Sequence, residues 1–169
     1  LKVRTCKRCG HKDSAVIAKL KASIEVPGNL KSLTVKKGKT VMGICLGMQL
    51  LFDKSYEYGE YDGLGLIPGK VAPMEGKIDA SLKIPHIGWN SLDIKKRDGI
   101  FKGIDDNSYV YFVHSYYLKA EEEGIVKATT EYSTHIHASV EKGNVFACQF
   151  HPEKSSDVGM QILRNFVEL

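Results

Sequence analysis

Thr40–Phe52 reads TVMGICLGMQLLF, and the rest of the chain is placed by it. Val41–Ile44 is a short apolar run with the length of a buried strand, and Leu46–Phe52 has the spacing and composition of a helix start. Cys45 therefore falls at a strand-to-helix reversal. Gly43 and Gly47 stand two residues either side of it. This G-x-C-x-G arrangement is the cysteine form of a nucleophile elbow: small neighbours let the backbone turn sharply and lift one side chain into the open. At the start of a helix, the dipole and the unpaired backbone N–H groups favour a thiolate. The N–H of Leu46 is then placed to stabilise an oxyanion. A buried structural cysteine in an α/β core is the competing reading of any isolated cysteine.

The far end of the chain weighs against that competitor. Phe146–Phe150 is an apolar strand that runs into His151-Pro152-Glu153-Lys154-Ser155. Pro152 disfavours helical backbone at His151, so His151 and Glu153, two apart, project from the strand end in a fixed relation. A thiol nucleophile needs such a pair: the imidazole takes the thiol proton, and the carboxylate fixes the ring's tautomer and supports its positive charge. Cys45, His151 and Glu153 are the candidate triad.

Between these ends the pattern is of short β segments. Leu64–Val71, Lys83–Leu92, Tyr109–Leu118, Gly124–Tyr132, His135–Val140 and Val145–Phe150 are expected strands, separated by turn-forming clusters. Tyr56–Gly65 reads as an exposed loop and the acidic run Glu121–Glu123 as a solvated hairpin tip. Ser155 or Ser156 is expected to cap a final helix whose Val158, Ile162, Leu163, Phe166 and Val167 share one face. In the first forty residues, Ser14–Ile24 has helical spacing and Pro27-Gly28-Asn29 breaks it. Parallel-type strands near the elbow, a β-rich stretch and a terminal helix argue for an α/β fold with a mixed sheet in one domain, 1–169.

The formal charge of +4 is concentrated before the elbow, in residues such as Lys2, Arg4, Lys7, Arg8, Lys36, Lys37 and Lys39. No aromatic residues are interleaved with them, so a solvated surface or a docking face for an acidic partner is the reading, and nucleic acid is not expected. No apolar run is long enough to span a membrane, and no signal peptide is visible. Four cysteines, Cys6, Cys9, Cys45 and Cys148, are too few and too unevenly spaced for a disulfide framework, so a reducing cytoplasm is expected. Cys6, Cys9 and His11 resemble half of a zinc knuckle, but no second C-x-x-C follows, and we expect no metal. No cofactor is expected either, since neither a G-x-G-x-x-G after a strand nor a phosphate-binding loop is present.

Taken together, GICLGMQLLF and HPEKS resemble the class I, or triad, glutamine amidotransferases. Gly63–Val71, the run Pro85-His86-Ile87-Gly88-Trp89-Asn90, and the run Tyr111-Phe112-Val113-His114-Ser115-Tyr116-Tyr117 are most similar to the glutaminase subunits of imidazole glycerol phosphate synthase. The resemblance implies a flavodoxin-like fold with a mixed sheet and helices on both faces, matched over 41–169. Residues 1–40 are expected to be atypical or incomplete against that pattern, with Gly28–Ser32 similar to the family's opening motif but close to the elbow. It also implies hydrolysis of L-glutamine to glutamate and ammonia. Cys45 would be the nucleophile, His151 the base and then the acid, Glu153 the orienting carboxylate and Leu46 an oxyanion donor.

Further roles follow from the same resemblance. Gln49, one turn beyond Cys45, matches a position that helps hold substrate, with a solvated helix residue as its alternative. His114, Ser115 and Tyr116 match the loop lining the same pocket, where backbone groups and Ser115 would bind the ends of the amino acid; a simply hydrogen-bonded His114 is the alternative. Trp89 and Asn90 would lie at the face that meets a (β/α)8-barrel cyclase in a heterodimer, and a core Trp89 is the alternative. The ammonia would pass to that cyclase for imidazole formation in histidine biosynthesis. A catalytically impaired binding subunit, or a glutaminase serving another synthase, stays open at this stage.

Overall fold

The computed structural model describes residues 4–5, 12–13 and 39–169. Cys6, Cys9, His11, the expected helix Ser14–Ile24 and the Gly28–Ser32 motif lie outside the described residues. Strands β1 (Arg4–Thr5) and β2 (Lys12–Asp13) pair antiparallel. The elbow follows: β3 (Val41–Ile44), helix α1 (Leu46–Leu50) and β4 (Phe52–Ser55). Then come β5 (Tyr61–Asp62), β6 (Ile67–Pro73), β7 (His86–Ser91), β8 (Asp93–Ile94), β9 (Tyr109–His114) and β10 (Tyr116–Ala120). β11 (Val126–Glu131), β12 (His135–Lys142), β13 (Val145–Cys148) and helix α2 (Ser156–Glu168) complete the order.

Three of the sheets concern the site. The five-stranded sheet runs β3-β13-β12-β11-β8, the four-stranded sheet β10-β6-β4-β5, and β7 pairs with β9 alone. In the five-stranded sheet only β3 and β13 are parallel, with Val41 opposite Val145 and Ile44 opposite Cys148. All eight of their residues are buried, because successive side chains enter cores on opposite faces. Met42, Ile44, Phe146 and Cys148 pack with Ile162 and Phe166 of α2. Val41, Val145 and Ala147 pack on the other side with Met48 and with Phe52, Ile67 and Leu118, which α1 and the four-stranded sheet bring to that face. A helix thus covers each face, and the mixed α/β architecture expected from the sequence is the one observed. Phe150 and Phe166, both fully buried, each contribute about 1.5–3 kcal/mol of apolar transfer free energy.

Several local expectations need correction. The first helix stops at Leu50, because Phe52 is drawn into β4 beside Ile67. The expected strand Tyr109–Leu118 is two strands broken at Ser115: β9 pairs with β7, whereas β10 crosses to pair with β6. Lys83–Leu92 begins as a strand only at His86. Glu121–Glu123 is exposed, but it joins two sheets instead of turning a hairpin. The loop Tyr56–Gly65 contains the short β5. Ser155 stands at the N-cap of α2 without a side-chain capping bond; its hydroxyl donates to the His151 carbonyl at 2.6 Å and accepts the Tyr111 N–H at 3.0 Å.

Candidate active site

Because β3 and β13 are parallel neighbours in register, the chain leaves both at the same sheet end. Cys45 and the His151 segment emerge there together, and the Cys45 N–H donates to the Cys148 carbonyl at 2.8 Å. Cys45 has φ 50° and ψ −111°, a left-handed turn uncommon for a residue with a side chain. Gly43 lets the helix close over the strand: a Cβ there would sit 2.7 Å from both the Gly47 carbonyl oxygen and Leu51 Cδ1. The Cys45 sulfur lies 3.8 Å from the Val113 carbonyl oxygen and 3.8 Å from Gln149 Nε2. Gln149 is fully buried, and nothing in its spacing from Cys45 marked it in the sequence.

His151 is extended, φ −101° and ψ 94°, as its place before Pro152 requires. A short 3-10 turn over Pro152–Lys154 then carries Glu153 back beside the ring, with Nδ1 and Oε1 2.7 Å apart. The other ring nitrogen, Nε2, is buried and makes no hydrogen bond among the described residues. Burial alone would lower the ring's pKa, but the Cys45 sulfur and the Glu153 carboxylate outweigh it and hold His151 up at about 9. For Glu153, burial opposes ionisation, and the hydrogen bond and charge of His151 overcome that to hold the carboxyl below its ordinary range. Backbone bonds fix the segment as well: the His151 N–H donates to the Tyr111 carbonyl at 2.9 Å. The structure therefore brings Cys45, His151 and Glu153 into one constellation, with Leu46 at the first position of α1, where its N–H has no intrahelical acceptor.

Gln49 is buried, and its Nε2 reaches the Tyr116 carbonyl at 3.5 Å. It also lines a cavity of about 280 Å³ beside the elbow, together with Leu46, Ser55, Glu57 and Tyr61. Glu57 is the acidic group of that wall that is half-buried, and desolvation raises its pKa. Its stretch read as exposed loop in the sequence, which hid it. Ser115 sits at the break between β9 and β10, and its carbonyl accepts the Met74 N–H at 3.1 Å. Tyr116 packs edge-on against Tyr58, ring centroids 6.0 Å apart. His114 is buried with both ring nitrogens engaged: Nδ1 donates to the Tyr116 carbonyl at 2.8 Å, and Nε2 accepts from His86 Nδ1 at 3.0 Å. Burial lowers His114 to about 3 and His86 to about 4, so both rings are neutral.

Trp89 is 52% exposed, on the outer face of the β7–β9 pair with Ile87 and Tyr109. Asn90 Nδ2 donates to the Glu131 carbonyl at 2.8 Å, which ties the pair to β11. Among the described residues no three His, Cys, Asp or Glu side chains converge as metal ligands, and no helix is long and apolar enough to cross a membrane.

A nucleophile elbow beside a histidine–carboxylate pair is one of several thiol-enzyme layouts, and comparison with known proteins decides among them. Residues 21–169 match the family Glutamine amidotransferase class-I. The chain belongs to this family. The imidazole glycerol phosphate synthase subunit HisH of Caldanaerobacter subterraneus subsp. tengcongensis is 52% identical over 135 residues, which cover 80% of this chain and 64% of that protein. The subunit of the same name from Geobacter metallireducens is 50% identical, over 78% of this chain and 64% of its own. The chain thus spans a little under two thirds of the length of these relatives. Among solved structures, a glutamine amidotransferase at 20% identity matches with a TM-score of 0.61, over 84% of this chain and 66% of its own. The glutaminase domain of Trypanosoma brucei CTPS, at 16% identity, gives 0.58 over 84% and 65%. At these identities both likenesses concern the fold alone.

Proposed function

We propose that this class-I glutamine amidotransferase chain hydrolyses L-glutamine to glutamate and ammonia, as the glutaminase subunit of an imidazole glycerol phosphate synthase in histidine biosynthesis. What carries the reading is that the parallel, in-register β3–β13 pair brings Cys45 and the His151 segment out at one sheet end, with the His151 ring held 2.7 Å from Glu153. His151 takes the Cys45 thiol proton as the sulfur attacks the carboxamide carbon, and the tetrahedral oxyanion takes the Leu46 N–H. The imidazolium, favoured by the raised pKa of the ring, gives that proton to the nitrogen as the C–N bond breaks and ammonia departs. Water, deprotonated by the same ring, then cleaves the thioester, and the C–S bond breaks to release glutamate.

Gln49 and Glu57 line the cavity, the first with a polar amide and the second with a carboxylate that suits the substrate's ammonium. Ser115 and the backbone near Tyr116 lie outside that lining, next to Gln49 through its bond to the Tyr116 carbonyl, and suit the substrate's carboxylate. His114 contributes by placing that loop. The exposed face with Ile87, Trp89 and Tyr109, with Asn90 at its edge, suits the docking of a (β/α)8-barrel cyclase in a heterodimer that receives the ammonia. A free thiol nucleophile works in a reducing compartment, and we place the protein in the cytoplasm.

The test is glutamate release from L-glutamine by the intact chain with the cyclase subunit. Cys45→Ala is expected to abolish release while partner binding persists. Release by the alanine variant at the parent rate would overturn the assignment.

A further inference from the structure

The two strands of the β7–β9 pair place His86 directly opposite His114. His86 lies flat between Phe112 and Tyr132, with ring centroids 4.9 and 4.0 Å away and interplanar angles of 19° and 20°. The hydrogen bonds fix both tautomers. His114 Nδ1 faces a carbonyl and so carries hydrogen, which leaves Nε2 as an acceptor; His86 must then donate to it from Nδ1. The chain of bonds ends on the Tyr116 carbonyl, whose second bond comes from the Gln49 side-chain amide. One residue before His114, the Val113 carbonyl lies 3.8 Å from the Cys45 sulfur.

A backbone loop that touches both the nucleophile and Gln49 is thus held by a histidine ring, and that ring is held by a second one. With its amide nitrogen committed to Tyr116, Gln49 keeps its amide oxygen as an acceptor, and the residue lines the cavity. We propose that His86 is a positioning residue for substrate: through His114 it holds the Tyr116 carbonyl, and so the amide orientation of Gln49. This rests on the glutaminase reading above. A mere strand-packing role would use the stacked ring of His86 and make its Nδ1–H dispensable.

Two substitutions separate these roles. His86→Phe keeps a flat ring between Phe112 and Tyr132 and removes the donor, whereas His86→Asn keeps a donor near the Nδ1 position and removes the stack. Kinetics of glutamate release by the intact chain with its cyclase partner, and the thermal midpoint of each variant, are the measurements. The expected result is a KM for L-glutamine raised about tenfold in His86→Phe with a much smaller change in kcat, and largely restored in His86→Asn although that variant melts at a lower temperature.

A parent KM in His86→Phe, or KM values that track the melting order, would overturn the proposal. Should His86→Phe fail to fold, histidine-ring nitrogen spectra of the Cys45→Ala chain decide. His86 and His114 resonances that shift on adding L-glutamine support the role, and unmoved resonances overturn it. A parent chain that releases no glutamate with its partner would instead sink the glutaminase reading, and this inference with it.

Discussion

His151, His86 and His114 are all buried, yet their neighbours drive them in opposite directions. His151 has the Cys45 sulfur and Glu153 beside it and is held up at about 9. His86 and His114 have aromatic rings, each other and a carbonyl, and burial takes them down to about 4 and about 3. An unfolded imidazole titrates near 6.5. Below that pH the unfolded chain binds protons that folded His86 and His114 refuse, so their contribution to stability falls from about pH 6.5 toward pH 4. The contribution of His151 is complete below 6.5 and is lost as pH rises through about 9. The urea midpoint measured from pH 4 to 9 is therefore expected to peak near neutrality, with a shallower acid limb in His86→Phe. A flat profile would contradict these environments. The residues of the proposed triad stood out in the sequence because a strand end before proline and a glycine-flanked cysteine are local patterns. The His86–His114 bond was not, because it depends on which residue of β7 faces which residue of β9, and register is set by pairing across the sheet.

At the scale of elements, the elbow depends on β3 and α1 closing to backbone contact at Gly43. An alanine methyl there would meet the Gly47 carbonyl carbon and oxygen at 2.8 and 2.7 Å. Gly43→Ala is expected to cost about 1–3 kcal/mol in denaturant unfolding and to lower kcat by tilting α1 away from the nucleophile. Gly124→Ala, where an added Cβ meets nothing within 4 Å, is the control and should leave both unchanged. Equal midpoints for the two variants would remove the steric account of the elbow. The same scale shows why Ser155 was misread. It occupies the position of a helix cap, but the His151 carbonyl and the Tyr111 N–H compete for its hydroxyl and win. The split of Tyr109–Leu118 at Ser115 was equally hidden, since both halves alternate as strands and only the sheets they join differ.

For the whole molecule, the parallel β3–β13 pair is the spine: it feeds one core on each face and delivers both halves of the proposed triad to one edge. The mixed α/β class was legible because buried parallel strands read as unbroken apolar runs. The partition of their side chains between two cores was not, since burial on both faces erases the alternation that would reveal it. One further consequence lies in the φ of 50° at Cys45. A left-handed backbone costs about 1–3 kcal/mol for a residue with a Cβ and almost nothing for glycine, whose penalty elsewhere is about 0.5–1 kcal/mol. Of two inactive proteins, Cys45→Gly should then melt above Cys45→Ala, the reverse of their usual ranking, and calorimetry of the pair would show it. With Cys45 as the proposed nucleophile, reactivity and heat resistance pull against each other at this one backbone position, and only a dead enzyme can collect the gain.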